Sequence, residues 1–450
     1  MGPQSLTEKA AALYQGEALA PMVRASTTPL RTLALQYGAD FVYTEELVDR
    51  AITETKRVEN EALDTVDYVK DISKLSAKVQ RRMINDGNRQ PLLLRIDPKV
   101  EKGKLVCQLG TGEPELALPA VLHVKNDVDA FDINMGCPKK FSVSGGMGSA
   151  LLEDPERACR IVKTLRDNLK EHPVSCKIRL RKDTKQTLDL VTGLVNAGAH
   201  AIAIHARQPG HDAIKAADWD SLEEVIPLVR SKFPSLPLLI NGDFYTRQEF
   251  MDFHVKHETS GVLLARPALY NCSIFRKPPV LGDSDSSDYS RYGYDSPLLL
   301  DKTIVVQDYL RQALRYNPHH KNVKYVISEM MTNRRTPTGR VPKLPQQYQG
   351  GQTIAQTCNC KSLEDLCEVW DVKFSLYSSD KQQKDGSVNE MAPVDDVHRY
   401  SDAYNLQGEP SSSNTVDGDK HKPANTDAND DTGGCPPALP NEPSSKRLKV

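Results

Sequence analysis

Between residues 17 and 266, short apolar runs recur, each followed by a stretch long enough for one helix. They cover residues 18–22, 41–44, 105–108, 130–134, 174–178, 201–205, 237–241 and 261–265. The runs are almost continuously apolar rather than alternating, as parallel strands buried on both faces require. Eight of them over about 250 residues predict a TIM (β/α)8 barrel, an α/β fold. One gap is wide. Residues 67–104 contain a further strand-like run at 92–96, which predicts an insertion or small hairpin.

Beyond the barrel the pattern changes. The stretch 282–296 is polar, with Asp and Ser predominating, and predicts an exposed linker. From residue 298 to about 370, apolar positions recur at three- and four-residue spacing: Val305, Tyr309, Leu310 and Ala313, then Val323, Val326, Ile327 and Met330. That period predicts a small all-α domain with its own core. Lys321, Lys324, Arg334, Arg335, Arg340 and Lys343 give it a basic edge, either a solvated face or a phosphate contact. Residues 380–450 are rich in Ser, Asp, Asn, Gly and Pro without apolar periodicity, so burial cannot offset their ordering entropy and disorder is expected. The expected organisation is therefore an N-terminal extension (1–16), the barrel (17–276), a linker (277–297), the helical domain (298–375) and a disordered C-terminal tail (376–450).

Composition narrows the function classes. The formal net charge is −2, but the segment 380–450 holds 13 Asp/Glu against 8 Lys/Arg, so the rest of the chain is slightly basic. That excess permits a nucleic-acid partner without announcing one. No apolar run approaches the roughly 20 residues that span a bilayer, and the N-terminus lacks a secretory pattern. Nine cysteines without a CxxC pair fit reduced thiols in an intracellular protein. Cys358, Cys360 and Cys367 lack a second ligand pair, so no metal is expected.

Chemistry concentrates at the strand ends. Met22, Gln108, Asn134, Lys177, His205, Asn241 and Arg266 fall at or just past the C-terminal ends of the predicted strands, the edge on which barrels build active sites. The most informative segment runs from Asp132 to Lys140 and contains Gly136-Cys137-Pro138, followed by Gly145-Gly146-Met147-Gly148. A turn of this kind presents the Cys137 thiol at the barrel mouth, where a mostly protonated thiol serves as a general acid. The plainer alternative is a packed core cysteine. The glycine cluster reads as a flexible loop or as a place where a polynucleotide backbone comes close.

Taken in order, Ala20-Pro21-Met22-Val23-Arg24, Asp132-x-Asn134-x-Gly136-Cys137-Pro138, Cys176-Lys177-Ile178-Arg179, Ile204-His205-Ala206-Arg207, Asn241-Gly242-Asp243 and Ala265-Arg266 resemble the tRNA-dihydrouridine synthases. The resemblance covers residues 17 to about 370 and is strongest to the eukaryotic cytoplasmic branch acting on uridine 20 of the D-loop. It implies FMN as cofactor, NADPH (or NADH) as reductant and tRNA as substrate. It further implies that Pro21, Met22 and Val23 line the flavin, that Gln108 bonds its ring edge, and that Lys177 and His205 neutralise it. Asn241, Gly242, Asp243, Ala265 and Arg266 would hold its phosphate. Cys137 would protonate C5 of the uracil, and Asn134, Arg179, Lys139 and Arg207 would contact substrate. Pro267 departs from the small residue more usual there. No αβββα pattern follows residue 375, which leaves RNA binding to the barrel, the helical domain or the tail. A monomer without a membrane or stable protein partner is expected. Cytoplasmic location is expected too, with nuclear entry through the basic Lys446-Arg447-Leu448-Lys449. The nearest rivals are a flavin barrel reducing a free pyrimidine and an inactive RNA-binding barrel.

Overall fold

A computed structural model describes residues 4–71, 73, 76–78, 80–81, 91–211, 215–277, 299–331 and 351–374. The strands, in chain order, are β1 (Gly16–Leu19), β2 (Phe41–Tyr43), β3 (Leu47–Val48), β4 (Thr55–Asn60), β5 (Thr65–Lys70), β6 (Leu92–Ile96), β7 (Leu105–Gly110), β8 (Ala130–Asn134), β9 (Val174–Arg179), β10 (Ala201–His205), β11 (Leu238–Asn241) and β12 (Gly261–Leu264). Eight of these close a parallel barrel in the order β2-β1-β12-β11-β10-β9-β8-β7, with β2 pairing back to β7. The predicted TIM barrel is the observed one.

Its strand boundaries differ from the expected ones by at most two residues, except at the first strand, which ends at Leu19. There the chain turns early: Ser26 Oγ donates to Ala20 O at 2.9 Å and accepts from Met22 N–H at 3.1 Å, drawing Pro21–Val23 out of the ladder. The lumen is filled by small residues (Ala18, Ala130, Ala201 and Ala203) interleaved with Phe41 and Tyr43. Bulkier partners on the other faces of the same strands, such as Ile202 and Ile204, pack into the larger core under the helices. Fully burying such a side chain stabilises by roughly 1.5–3 kcal/mol.

The N-terminal extension enters that lumen. Helix Leu6–Leu13 begins with a capping box between Ser5 and Glu8, satisfying backbone donors that would otherwise be open. Beyond it, Tyr14 is fully buried, stands edge-on to Phe41, and its hydroxyl donates to Ser175 Oγ at 3.1 Å. This helix stoppers the N-terminal end.

Where an insertion or hairpin was expected within 67–104 stands a three-stranded antiparallel sheet, β4-β5-β6, whose first strand lies wholly before residue 67 and whose second begins at Thr65. Strand β4 escaped the sequence reading because its residues Lys56 to Glu59 are exposed and show no apolar alternation. The buried Arg95–Asp67 pair links β6 to β5 at 2.6 Å, and the same guanidinium donates to the Tyr316 carbonyl of the helical region.

That region comprises helices Lys302–Tyr316, His320–Met331, Ile354–Asn359 and Leu363–Val369. The first lies against helix Thr28–Tyr37, through Tyr37 OH to Asp308 (2.6 Å) and the Gln312–Gln36 amide pair (2.8 Å). Of the basic edge, Lys324 does not face solvent freely: its ammonium donates to the carbonyls of Cys358 (2.8 Å) and Cys360 (2.7 Å), tying two helices together. Arg334, Arg335, Arg340 and Lys343 lie outside the described residues, as do the polar linker, the tail and its Lys446–Lys449 segment. No helix among the described residues is long and apolar enough to cross a membrane.

Candidate active site at the barrel mouth

Strand register decides which side chains meet. Asn134 of β8 stands opposite Lys177 of β9, Arg179 opposite His205 of β10, and His205 opposite Asn241 of β11. All five point into the mouth: Lys177 and Arg179, two apart on β9, share a face, and the others are their register partners.

The Cys137 turn is held from three directions. Asn134 Oδ1 accepts from the N–H of Gly136 (2.9 Å) and of Cys137 (3.1 Å). Arg179 Nε donates to Gly136 O at 2.6 Å, and Ser149 N–H donates to Cys137 O at 2.9 Å. Gly148 explains the glycine cluster. Its φ of 57° is left-handed, and a Cβ there would lie 2.5 Å from Cys137 O and 2.4 Å from Ser142 Oγ. The loop therefore folds back on the cysteine, and the missing side chain of Gly148 permits this close approach. The thiol is only partly exposed and is not a core cysteine. Burial and the neighbouring Glu46 carboxylate push it up to about 11, so it is a thiol at neutral pH.

A cavity of about 360 Å³ opens beside this turn. It brings together Lys139, Arg179, His205, Arg207, Asn241, Gly242, Asp243, Ala265 and Arg266, along with Pro138, His211 and Phe244. Pro21, Met22, Val23, Gln108, Asn134, Cys137 and Lys177 are not on its wall, although they occupy the same end of the barrel. Asp243, at a left-handed φ of 54°, is the hub. Its carboxylate accepts from Arg207 and from Arg266, each at 2.6 Å, and from Ala217 N–H at 2.8 Å. Arg207 is 2% exposed, and its Nε is given to Lys215 O (2.7 Å). The structure thus places Arg207 in the wall of the cavity, with its guanidinium turned to Asp243. Asp243 places the arginines, and its carboxylate is not itself a phosphate donor. Arg266 is more open, and Pro267 sits in the first turn of helix Arg266–Tyr270, where its fixed φ and missing N–H are tolerated.

His205 is neutral here. Burial and the surrounding cations Lys177, Arg179, Arg207 and Arg266 push its pKa well down. A guanidinium can only donate, so at 3.2 Å from Arg207 Nη1 the His205 Nε2 is an acceptor and the ring proton sits on Nδ1. Asn241 uses its Nδ2 on Leu263 O (2.6 Å), while Gly242 O accepts from Trp219 Nε1 (2.9 Å). Gln108 is 2% exposed and donates to Asp132 Oδ2 at 2.8 Å. Asp132 also accepts from Ser175 Oγ at 2.7 Å and lies near Lys177; burial raises the carboxyl and lowers the ammonium.

Sequence reasoning missed Glu46. It follows β2, so the strand-end rule that found the other residues applied to it as well. A guanidinium-rich cavity with a neutral imidazole and a bare Gly242 backbone fits a phosphorylated cofactor. The adjoining thiol fits proton delivery.

Residues 18–337 match dihydrouridine synthase (Dus). The chain belongs to this family. It is 33% identical over 362 residues to tRNA-dihydrouridine(20) synthase (NAD(P)+) of Schizosaccharomyces pombe, covering 79% of this chain and 65% of that one. It thus spans a little under two thirds of the fission-yeast protein. The corresponding protein of Saccharomyces cerevisiae is 34% identical over 325 residues, covering 71% of this chain and 78% of its own. Identity to the S. pombe tRNA-dihydrouridine(20a/20b) synthase is 28%, over 57% of this chain. All the cavity-wall and turn residues described above fall inside the dihydrouridine synthase match.

Proposed function

We propose that this dihydrouridine synthase reduces the C5=C6 bond of a D-loop uridine in tRNA, at position 20, with FMN as cofactor and NAD(P)H as reductant. The observation that carries this reading is a protonated thiol on a rigid turn, tied through Arg179 to a cation-lined cavity at the same barrel end. Arg266, with Gly242 and Ala265, would hold the cofactor phosphate, and Lys177 with neutral His205 would face the flavin ring. Bound there, the flavin supplies hydride to C6 of the uracil.

The chain's own residues do the rest. Asn134 and Arg179 hold the Cys137 turn so that the sulfur is fixed in the mouth. Cys137 then releases its proton to C5. Lys139, exposed at the rim, would meet the incoming RNA backbone. Taking the uridine out of its stack costs a few kcal/mol, which contacts of this kind must offset.

The test is Cys137→Ala. The variant is expected to fold, retain a yellow flavin and bind tRNA, yet to form almost no dihydrouridine by mass spectrometry of digested tRNA. Turnover at the wild-type rate would refute the acid role. Reoxidation of the reduced flavin by free uracil or orotate, in place of tRNA, would favour a free-pyrimidine reductase.

A further inference from the structure

Trp219 begins helix Trp219–Lys232, behind the cavity wall, and has no part in the chemistry described so far. It is the last of three successive residues that grip the backbone after β10 and β11. Ala217 N–H donates to the Asp243 carboxylate at 2.8 Å, Asp218 N–H to Ala206 O at 2.6 Å, and Trp219 Nε1 to Gly242 O at 2.9 Å. The Trp219 ring also stacks on Phe244, with centroids 4.6 Å apart and planes 22° from parallel. Phe253 closes edge-on against both rings, at 5.8 and 5.4 Å. The indole is thereby fixed in its plane, and its one donor has one direction.

That direction sets the backbone. A trans peptide group is flat, with its C=O and N–H pointing opposite ways. The Gly242–Asp243 peptide turns its oxygen to Trp219, behind the wall, so the N–H of Asp243 is directed to the cavity side, which Gly242 and Asp243 both line. Among the described residues this N–H has no acceptor. Gly242 has a φ of 135°, and a Cβ there would lie 3.2 Å from the Cβ atoms of both Ala206 and Ala217, so the backbone is pressed against its support. Rotated the other way, the same peptide would turn an oxygen toward the cavity and repel an anion.

We propose that Trp219 is a positioning residue for the phosphate end of the cofactor: its indole N–H holds the Gly242–Asp243 peptide in the orientation that offers a donor to an oxyanion. The inference rests on the FMN phosphate occupying this cavity. It goes further by naming what aims the backbone donor. The Arg266 guanidinium supplies charge, while a peptide N–H supplies a donor of fixed direction, as in other anion-binding turns. The two ends of the peptide also act together. A hydrogen bond at its oxygen polarises the group and strengthens the N–H on the far side.

The experiment titrates the full chain, freed of flavin, with FMN and with riboflavin, which lacks only the phosphate, and reads binding from flavin fluorescence. Trp219→Phe keeps a ring for the stack and loses the N–H. Its riboflavin affinity is expected to stay within about twofold of the wild type, while FMN binds about tenfold more weakly, as for one hydrogen bond to a charged group. An FMN-over-riboflavin preference equal to the wild type's would overturn the proposal, whether both affinities hold or both fall, since packing alone touches the two flavins equally. Should Trp219→Phe not fold, the indole N–H protons of the wild type decide. The chain has two tryptophans, and Trp370→Phe assigns their signals. The Trp219 proton should move further downfield with FMN than with riboflavin, and equal shifts sink the idea. The underlying reading is separable. A wild type that binds riboflavin as tightly as FMN refutes a phosphate site here, and the role of Trp219 falls with it; a preference that survives intact in Trp219→Phe refutes Trp219 alone.

Discussion

Asp243→Asn tests the architecture of the cavity. Asparagine tolerates the left-handed φ of 54° found at this position, so the change removes charge with little backbone cost. It leaves the Arg207 side chain, 3% exposed and bonded at 2.6 Å to the lost carboxylate, as a buried cation whose remaining contacts are neutral. Breaking one side of a buried pair costs about 3–5 kcal/mol; the amide oxygen can still accept one bond, which places this variant near about 3 kcal/mol. For a large domain that is a fall in Tm of roughly 6–12 °C. Thermal unfolding by circular dichroism, with and without saturating flavin, gives the value. The cycle is completed with Arg207→Met. Once the arginine is gone, removing the carboxylate should cost much less, with a coupling of about 2 kcal/mol or more. A loss below about 1 kcal/mol, or two single costs that simply add, would refute the claim that Asp243 holds Arg207 in place.

Two further outcomes follow from named contacts. Gly148→Ala places a methyl 2.5 Å from the Cys137 carbonyl at a left-handed φ, so the turn must shift. A displacement near 1 Å costs about a hundredfold in rate, so dihydrouridine formation should fall by about that factor while flavin colour persists; unchanged turnover would show the loop to be loosely held. His205, whose pKa is lowered in the fold, takes up its proton in the unfolded chain first. Its contribution is therefore present above pH 6.5 and lost as pH falls below it. His205→Asn should flatten the acid limb of stability by up to about 1.4 kcal/mol per pH unit, checked by denaturant melts from pH 7 to 5.

Most of the barrel was legible because buried parallel strands must be continuously apolar, and eight such runs leave few other folds. Its chemistry was legible for a related reason: Lys177, His205 and Asn241 interrupt apolar runs only where a strand ends. Strand β4 was not, since polar Lys56 to Glu59 carry no burial signal. That the Arg207 guanidinium turns to Asp243 was not legible, since the two lie 36 residues apart in the chain. Glu46 went unremarked among neighbouring acids, as its burial depends on close packing against Gly110 of β7, far away in the chain. Lys324 belonged to a basic cluster on paper and to two carbonyls in space.

The first sixteen residues bear on how this protein is handled in the laboratory. From Tyr14 a relay of polar groups climbs the barrel axis through Ser175 and Asp132 to Gln108, just beneath the mouth. A chain started at Gly16, the natural choice if the leading helix is taken for a dispensable leader, would admit water to the floor of the barrel. It would also free the lowest rung of that ladder. The damage would surface at the far end, in the side chains just beneath the mouth, and an experimenter comparing truncated proteins would mistake a missing stopper for a faulty active site.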